Sequence, residues 1–284
     1  MFVIIGFIIV SFSVFGGFII AGGHVAALFQ PVELLMIGGA ATGAFLVGNS
    51  NKVISATLKA LPKAFKGSKY TKQLSLDLLA LLFELLNKTR RDGLLSIEAD
   101  IEAPAKSEIF KKFPTILAEH HLMDFIIDYL RMMVGGAFNP MEMEALMDVE
   151  IETHHHEAEL PSNALSRMGD AMPAFGIVAA VMGVVHTMES LHLPPKELGV
   201  LIAHALVGTF LGILLSYGFV GPLAPRLSQG VSEETKMLEC IKVTILASLS
   251  GYVPQVAVEF GRKTLFSTER PTFRELEEGL KKKK

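Results

Sequence analysis

The densest group of potential metal ligands in the sequence lies in the stretch EIETHHHEAE. Its members are Glu150, Glu152, His154, His155, His156, Glu157 and Glu159. Residues four apart share one face of a helix, so Glu150 and His154 could present a carboxylate and an imidazole to one cation. The other such pairs point in different directions around the helix, however, and the HExxH spacing of zinc proteases is absent. The pattern favours a solvated face that responds to pH, as it does at His120 and His121, and it predicts no metal site.

Motifs typical of enzymes are missing from the sequence. It contains no GxxxxGK[ST] phosphate loop, no GxSxG nucleophile motif and no glycine-rich dinucleotide fingerprint. Cys240 is the only cysteine, which excludes a disulfide framework and is typical of a small packed side chain in a reducing compartment. We therefore predict a protein that is not an enzyme and needs no cofactor.

Apolar side chains dominate the composition. Half of the 284 residues are hydrophobic and only 19% are charged, and the mean hydropathy is +0.44, which is high for a soluble domain. Four stretches with almost no charged residue are long enough to cross a bilayer, which takes about 20 residues. The sequence thus predicts membrane spans near residues 2–21, 33–50, 171–190 and 200–221.

The distribution of basic residues predicts the orientation of these spans. All but one of the 26 lysine and arginine residues lie in residues 51–170 and 222–284, and the exception, Lys196, lies between the last two spans. Cytoplasmic segments of membrane proteins are enriched in lysine and arginine. We therefore expect both charged segments and both chain termini in the cytoplasm. The first span has no basic residues before it, which favours a retained span over a cleaved signal peptide.

The cytoplasmic segments show helical periodicity. Leucines recur at helical spacing up to a helix end predicted at Gly93, and Asn139 and Pro140 fit the first positions of a helix that runs toward the third span. An interruption of that helix is predicted near Pro161. The predicted fold class is all-α: a polytopic membrane protein with four transmembrane helices and a helical cytoplasmic region.

This organisation divides the chain into four consecutive parts. Residues 1–50 hold transmembrane helices 1 and 2, residues 51–170 a cytoplasmic helical domain, and residues 171–221 transmembrane helices 3 and 4. Residues 222–284 are expected to form one long cytoplasmic helix followed by a tail. Because the tail ends in four lysines, it is interpreted as solvated, with attraction to anionic lipid as the alternative.

Small residues form a stripe along each of the last two predicted spans. They are Gly176, Ala180, Gly183 and Thr187 in the third span, and Ala205, Gly208, Thr209, Gly212 and Ser216 in the fourth. Small residues let helix backbones approach closely inside a membrane. Two interpretations stay open at this point. The two helices pack tightly on each other, or their stripes line a narrow, weakly polar passage or hold a helix of another chain.

Acidic residues are confined to the edges of the predicted spans. Intramembrane proton or sodium pathways usually contain an aspartate or glutamate. Within the bounds of the predicted spans, the only acidic residues are Glu33 and Glu189, both at outer edges. If the chain conducts ions, a partner must therefore supply the acid.

Several stretches resemble the MotA/TolQ/ExbB family, and within it the flagellar motor stator subunits. They are PAFGIVAAVMGVVHTM, LIAHALVGTFLGILLSYGFVGPLA, VAVEFGRKTLF, VGNSNK, TLKALP, SKYTK and DLLALLFELL. The resemblance covers essentially the whole chain. It implies a subunit of the bacterial inner membrane that forms a proton channel with the partner protein MotB and converts proton flow into torque on the rotor protein FliG.

The resemblance also implies roles for particular residues in the spans. Ala180 and Thr209 match positions that face the ion-carrying aspartate of MotB. Sodium-driven relatives have threonine where Ala180 stands, and the loss of that oxygen ligand favours protons. Pro173 and Pro222 match membrane-boundary prolines that couple proton movement to conformational change, while a plain helix-start role for Pro173 stays open.

In the cytoplasmic region, the resemblance implies that Arg90 and Glu98 engage opposite charges on FliG. The implied assembly is a ring of five such chains around two copies of MotB, with no nucleic acid involved. Two alternatives remain: an ExbB- or TolQ-like subunit of another energy-transducing complex, and a membrane protein that binds a metal through its histidines and glutamates.

Overall fold

The computed structural model describes residues 2–136 and 139–282 of the chain. Every regular element within these limits is helical, so the predicted all-α class is confirmed. The α-helices, in chain order, are α1 (Phe2–Ser11), α2 (Gly17–Ile20), α3 (Pro31–Gly48), α4 (Asn51–Phe65), α5 (Lys72–Asp92), α6 (Glu98–Glu102), α7 (Pro114–Leu117), α8 (His120–Gly135), α9 (Pro140–Glu189), α10 (Pro195–Ile213), α11 (Leu223–Leu249), α12 (Pro254–Thr264) and α13 (Phe273–Lys282). A π-helical segment, Phe12–Gly16, joins α1 to α2, and a second one, Leu214–Val220, follows α10.

The chain divides into two compact units. The first unit consists of Met1–Gly67 and Ala158–Gln229, and the second unit of Ser68–Glu157 and Gly230–Lys284. Helices α9 and α11 contribute residues to both units.

Four helical stretches among the described residues are long and apolar enough to cross a membrane. They are Phe2–Ile20, Val25–Gly48, Pro140–Glu189 and Pro195–Leu249. Each contains or overlaps one of the four spans predicted from the sequence. The expectation of four transmembrane helices is therefore confirmed.

The first unit exposes its large apolar side chains. Phe2 is 83%, Ile20 88% and Val47 91% exposed. The buried side chains that join α3, α9 and α10 are few, namely Ile37, Ala41, Met172, Ala179, Val207 and Leu211. An apolar exterior around a small interior is what a helical membrane protein presents to lipid.

Helix α9 begins where the sequence predicts. The Asn139 Oδ1 atom accepts a hydrogen bond from the Met141 N–H at 3.0 Å, and Pro140 is the first residue of the helix. Proline suits this position because the first-turn N–H groups have no partner within the helix. Local sequence alone therefore sets this boundary.

One prediction and one open alternative about prolines in α9 are wrong. The helix is not interrupted near Pro161, and Pro173 lies in the helix interior instead of at a helix start. A proline removes one backbone hydrogen bond from a helix. Around Pro161, tertiary contacts offset this loss, because Pro161 and Ser162 are buried and the Ser162 hydroxyl donates to the Ala224 carbonyl at 2.7 Å.

The core of the second unit surrounds α5. The leucines of this helix that are fully or almost fully buried are Leu78, Leu79, Leu81, Leu82, Leu85 and Leu86. All but the last belong to one apolar cluster with side chains of α8 and α11. Helix α5 starts where Thr71 Oγ1 accepts the Leu74 N–H and ends at Gly93, whose φ of 88° only glycine adopts without strain. The helix end predicted at Gly93 is confirmed.

The single long helix predicted after the fourth span is wrong, because it is divided into two helices. Helix α11 ends at Leu249 and α12 begins at Pro254. Between them, Gly251 has a φ of 88°, and Pro254 has no N–H with which to continue a helix. These two residues override the apolar periodicity around them.

The C-terminal segment is a docked helix up to residue 282, which corrects the expectation of a solvated tail. Helix α13 packs on α5, and its Leu276 is only 4% exposed. Lys72 Nζ donates to Glu275 Oε1 at 2.6 Å. Glu275 also forms a capping box with Thr272, each accepting the other's backbone N–H. The last two lysines lie outside the described residues.

We expect the substitutions T272A and E275Q to loosen α13. Loss of the Thr272 cap costs about 1 kcal/mol. The Lys72 contact and the Thr272 bonds lower the pKa of the Glu275 carboxyl to about 2, so its contribution is present above the ordinary carboxyl pKa and is lost as the pH falls toward 2. Hydrogen exchange of α13 at pH 7 measures the effect. E277Q, in the same helix, is the control, and equal exchange in E275Q and E277Q would contradict the docking contact.

Candidate functional site

Helices α9 and α10 approach each other at backbone distance. A Cβ atom added at Gly176 would lie 2.9 Å from the Gly208 carbonyl oxygen and 3.1 Å from the Gly212 Cα atom. One added at Gly212 would lie 2.7 Å from the Met172 carbonyl oxygen. A larger residue fits at neither position unless a helix moves. The small-residue stripes therefore pack on each other, as the first of the two interpretations had it.

The contact continues toward the C-terminal end of α9. A Cβ atom added at Gly183 would lie 2.7 Å from the Ala205 Cβ atom. Thr187, one turn further along, is buried and donates its hydroxyl to the Gly183 carbonyl at 2.9 Å. This hydroxyl is satisfied within its own helix and is not turned toward a passage.

Ala180 and Thr209 lie at this same helix contact. The Ala180 backbone nitrogen is 3.3 Å from a Cβ atom added at Gly208, and the Thr209 Cα atom is 3.4 Å from one added at Gly176. Both residues are half-buried. The structure thus places at one helix contact the two positions to which the family resemblance gives a role in the ion pathway.

A shallow groove of about 260 Å³ opens beside the contact. It is lined by Ile177, Ala180, Val181, Val184, Val185, Ile202, Ala205 and Leu206. All of these side chains are apolar, so the groove offers no charge and no side-chain ligand for an ion. Its surface suits the apolar side of another membrane helix.

The carboxylates of the first unit lie elsewhere. Glu33 and Glu197 are in the first turns of α3 and α10, Glu159 and Asp170 are on α9, and Glu189 is the last residue of α9. None of them lines the groove. An ion pathway along this groove would need an acid from another chain.

Pro173 and Pro222 lie near a second close contact of glycines. A Cβ atom added at Gly169, one turn before Pro173, would be 3.4 Å from the Gly221 Cα atom. Gly221 precedes Pro222, and its N–H donates to the Ser216 carbonyl at 2.7 Å, five residues back. Both a π-helical bond and a proline weaken the regular helix ladder. The structure brings these two irregular turns together.

Arg90 and Glu98 lie on adjacent elements of the second unit. Arg90 is in the last turn of α5, Glu98 is the first residue of α6, and both are exposed. Neither forms an ion pair or a side-chain hydrogen bond with any other residue that the structure describes. Two exposed and opposite charges that residues 2–136 and 139–282 leave without a partner are available to another protein.

Arg90 borders a cavity of about 740 Å³. The charged residues around it are paired, since Lys112 donates to Glu84 at 2.7 Å and Lys88 donates to Asp100 at 2.6 Å. One wall comes from the start of α12, through Val253, Pro254 and Gln255. Sequence reasoning missed this wall, because no local pattern connects α12 to the end of α5.

The stretch EIETHHHEAE does not fold into one site. Its solvated part comprises Glu152, His156 and Glu157, which are exposed. Glu150 accepts a hydrogen bond from the Tyr129 hydroxyl at 2.6 Å, and the His155 Nδ1 atom lies 2.9 Å from Thr235 Oγ1. The interpretation as a solvated face therefore holds for only part of the stretch.

Fold and site together define a multi-pass helical membrane protein with an acid-free helix contact in the first unit and, in the second unit, two exposed charges that have no ion-pair partner among the described residues. Residues 4–93 match the family model "Motility protein A N-terminal", and residues 118–240 match the MotA/TolQ/ExbB proton channel family. The chain belongs to this family, to its motility protein A branch, and it is a multi-pass protein of the bacterial inner membrane.

Individual relatives agree with this assignment. Motility protein A of Salmonella typhimurium is 57% identical over 99% of this chain and 95% of its own length. LafT, a chemotaxis protein of Vibrio parahaemolyticus, is 37% identical over 97% of both chains. The solved structure of C. jejuni MotAB has the same fold, with a TM-score of 0.78, 22% identity and coverage of 93% of this chain and 95% of that chain. The flagellar MotAB stator complex of Bacillus subtilis gives a TM-score of 0.71 at 24% identity, over 90% and 92%.

The glycine contact predicts a difference between two substitutions in α10. G212A places a methyl group against backbone atoms of α9 and should destabilise the protein by about 1–3 kcal/mol. G199A adds the same group where no atom lies within 4 Å, and it should be neutral or slightly stabilising. Thermal unfolding in detergent compares the two. Equal unfolding temperatures would contradict the contact between α9 and α10.

Proposed function

We propose that this chain is the channel-forming stator subunit of a bacterial flagellar motor. Together with MotB it forms a proton channel and converts proton flow into torque on the rotor protein FliG. The observation that carries this proposal is the acid-free groove beside the α9–α10 contact, in a chain of the motility protein A branch. Such a groove can hold a partner's helix and leave the proton-carrying acid to that helix.

The proton step follows from the chemistry of the groove. A MotB span seated near Ala180 and Thr209 would bring an aspartate into an apolar environment, where each protonation changes the charge by one unit at low dielectric. The favoured packing of the surrounding helices then differs between the charged and the neutral aspartate. This difference is the source of movement.

Protons are the proposed coupling ion. A sodium ion, like other hard cations, needs several oxygen ligands. The Ala180 side chain supplies none, and the other side chains that line the groove are apolar. A proton needs only the partner's carboxylate. Transport of this kind uses no cofactor.

Pro173 and Pro222 are the proposed coupling elements. Each lies one turn or less from the Gly169–Gly221 contact, where the helix ladder is already weakened. A change in packing at the groove can bend α9 and the junction between the second π-helical segment and α11 at this point at low cost. The movement would then reach the parts of α9 and α11 that belong to the second unit.

Arg90 and Glu98 are the proposed contacts with FliG. Their exposure, and the lack of a partner for either charge among the described residues, support this role, because surface charges can guide and align a moving partner without a large buried interface. We place residues 51–170, residues 222–284 and both termini in the cytoplasm, since almost all basic residues lie in these segments.

The proposed assembly is a pentamer of this chain around a MotB dimer. Relatives solved as MotAB complexes support the pairing with MotB. The direct test is co-purification of the chain with the MotB of the same bacterium, followed by electron microscopy of the complex and measurement of proton uptake by vesicles that contain it. Absence of a complex, or a complex that never conducts protons or supports swimming, would overturn the proposal.

The substitution A180T tests the ion pathway. It adds a hydroxyl and extra volume at the groove, so we expect swimming speed to fall in sodium-free medium and to become sensitive to sodium. Cells without their own motility protein A, complemented with the variant, provide the measurement. V181T, on the same groove wall, is the control. Unchanged speed in both media would argue against Ala180 as an ion-pathway position.

Charge reversal tests the rotor contact. We expect R90E and E98K to reduce swimming while the amount of protein in the membrane stays unchanged, because both side chains are exposed. Reversal of the opposing charge on FliG should restore part of the motility. R274E, a reversal at a residue whose side chain is 90% exposed, is the control. Normal torque in the R90E/E98K double variant would refute the contact.

A further inference from the structure

Three potential metal ligands of the second unit meet although they are far apart in the sequence. They are His121 at the start of α8, His154 on α9 and Glu234 on α11. One ligand atom from each lies within 4.8 Å of the other two. The His154 Nε2 atom is 3.7 Å from Glu234 Oε1, and the two imidazole rings are 5.0 Å apart between centroids.

The spacing suits a shared ion better than direct hydrogen bonds. At 3.7 Å, the His154–Glu234 distance exceeds that of a hydrogen bond. Zinc bonds of about 2.0–2.2 Å to nitrogen and oxygen place tetrahedral ligand atoms about 3.4 Å apart. His154 and Glu234 are already near this separation. The His121 side chain is exposed, so it can rotate to bring its ligand nitrogen to the same distance from the other two.

One polar atom of the cluster is left unused by the protein. The His154 Nδ1 atom is buried without a hydrogen-bond partner among the described residues. The nearby Glu150 carboxylate accepts the hydroxyl of Tyr129 and does not supply that partner. The His154 imidazole therefore keeps unused ligand capacity in this cluster.

Negative charge surrounds the cluster. Glu234 contributes a carboxylate oxygen to it, and the charges of Glu150 and Glu157, on the same helix as His154, also act on this imidazole. Carboxylates placed in this way favour a divalent cation.

We propose that His121, His154 and Glu234 bind one zinc ion. Two imidazoles and one carboxylate form a known donor set for zinc with an open fourth position, here on the exposed His121 side, where water can bind. The ion would link α8, α9 and α11, which the sequence separates widely. Because zinc binds the folded site in preference to the unfolded chain, it stabilises the second unit.

The test uses the full-length chain, purified in detergent and stripped of metal with a chelator. Zinc is added in competition with a chromogenic chelator, and one tight equivalent per chain is expected. H121A and E234Q should weaken zinc binding by about 100-fold or more, since even loss of a residue that only orients a ligand costs about 10–100-fold. H120A and H156A, which change neighbouring histidines outside the cluster, should stay within about twofold of the native affinity.

Two further measurements separate a specific site from scattered binding by surface histidines. Cobalt in place of zinc should give the absorption of a low-coordinate site in the native chain and in H156A, but not in E234Q. Zinc should raise the unfolding temperature of the native chain and leave that of H121A unchanged, while magnesium should affect neither. The proposal is overturned if H121A and E234Q bind zinc as tightly as the native chain. It is also overturned if the control variants H120A and H156A lose as much zinc affinity as H121A and E234Q. Circular dichroism of each variant confirms that it is folded.

Discussion

Helices in a bilayer gain little from burying apolar surface against each other, because the surrounding lipid is equally apolar. Helices α9 and α10 are instead held by close backbone packing, which Gly176 and Gly212 permit because neither has room for a Cβ atom. This contact determines which side chains of the two helices remain outside it and line the groove, and Ala180 is one of them. The glycines that hold α9 and α10 together thus also shape the surface on which the MotB helix is proposed to lie.

The second unit depends on a different constraint, the burial of leucines on α5. Since most of this helix is enclosed, its polar side chains are restricted to its ends and to one narrow side. Lys88 and Lys112 near that side are neutralised by Asp100 and Glu84. Arg90, at the helix end, has no ion-pair partner in the part of the chain that the structure describes, so the core that folds the unit also leaves a charge available to a partner.

The local sequence correctly predicted those helix ends that depend only on neighbouring residues. The end of α5 at Gly93 and the start of α9 at Asn139 and Pro140 depend on backbone conformation and on missing N–H groups, and both were correct. The predictions failed where packing overrode a local preference. Pro161 does not interrupt α9, because buried contacts stabilise the turn around it. The C-terminal tail is a docked helix, because Leu276 and Glu275 find partners on α5.

By itself, the sequence determined the four apolar spans, the distribution of basic charge, the stripes of small residues and the family, since these are properties of composition and spacing. Only the tertiary structure decided that the two stripes pack on each other, that α12 closes the cavity beside Arg90, and that His121 and Glu234 meet His154. The physical reason is that periodicity shows which side of a helix is apolar or reactive but does not identify the residue opposite. Which residue lies opposite depends on contacts between distant segments, and these contacts form only when the chain folds.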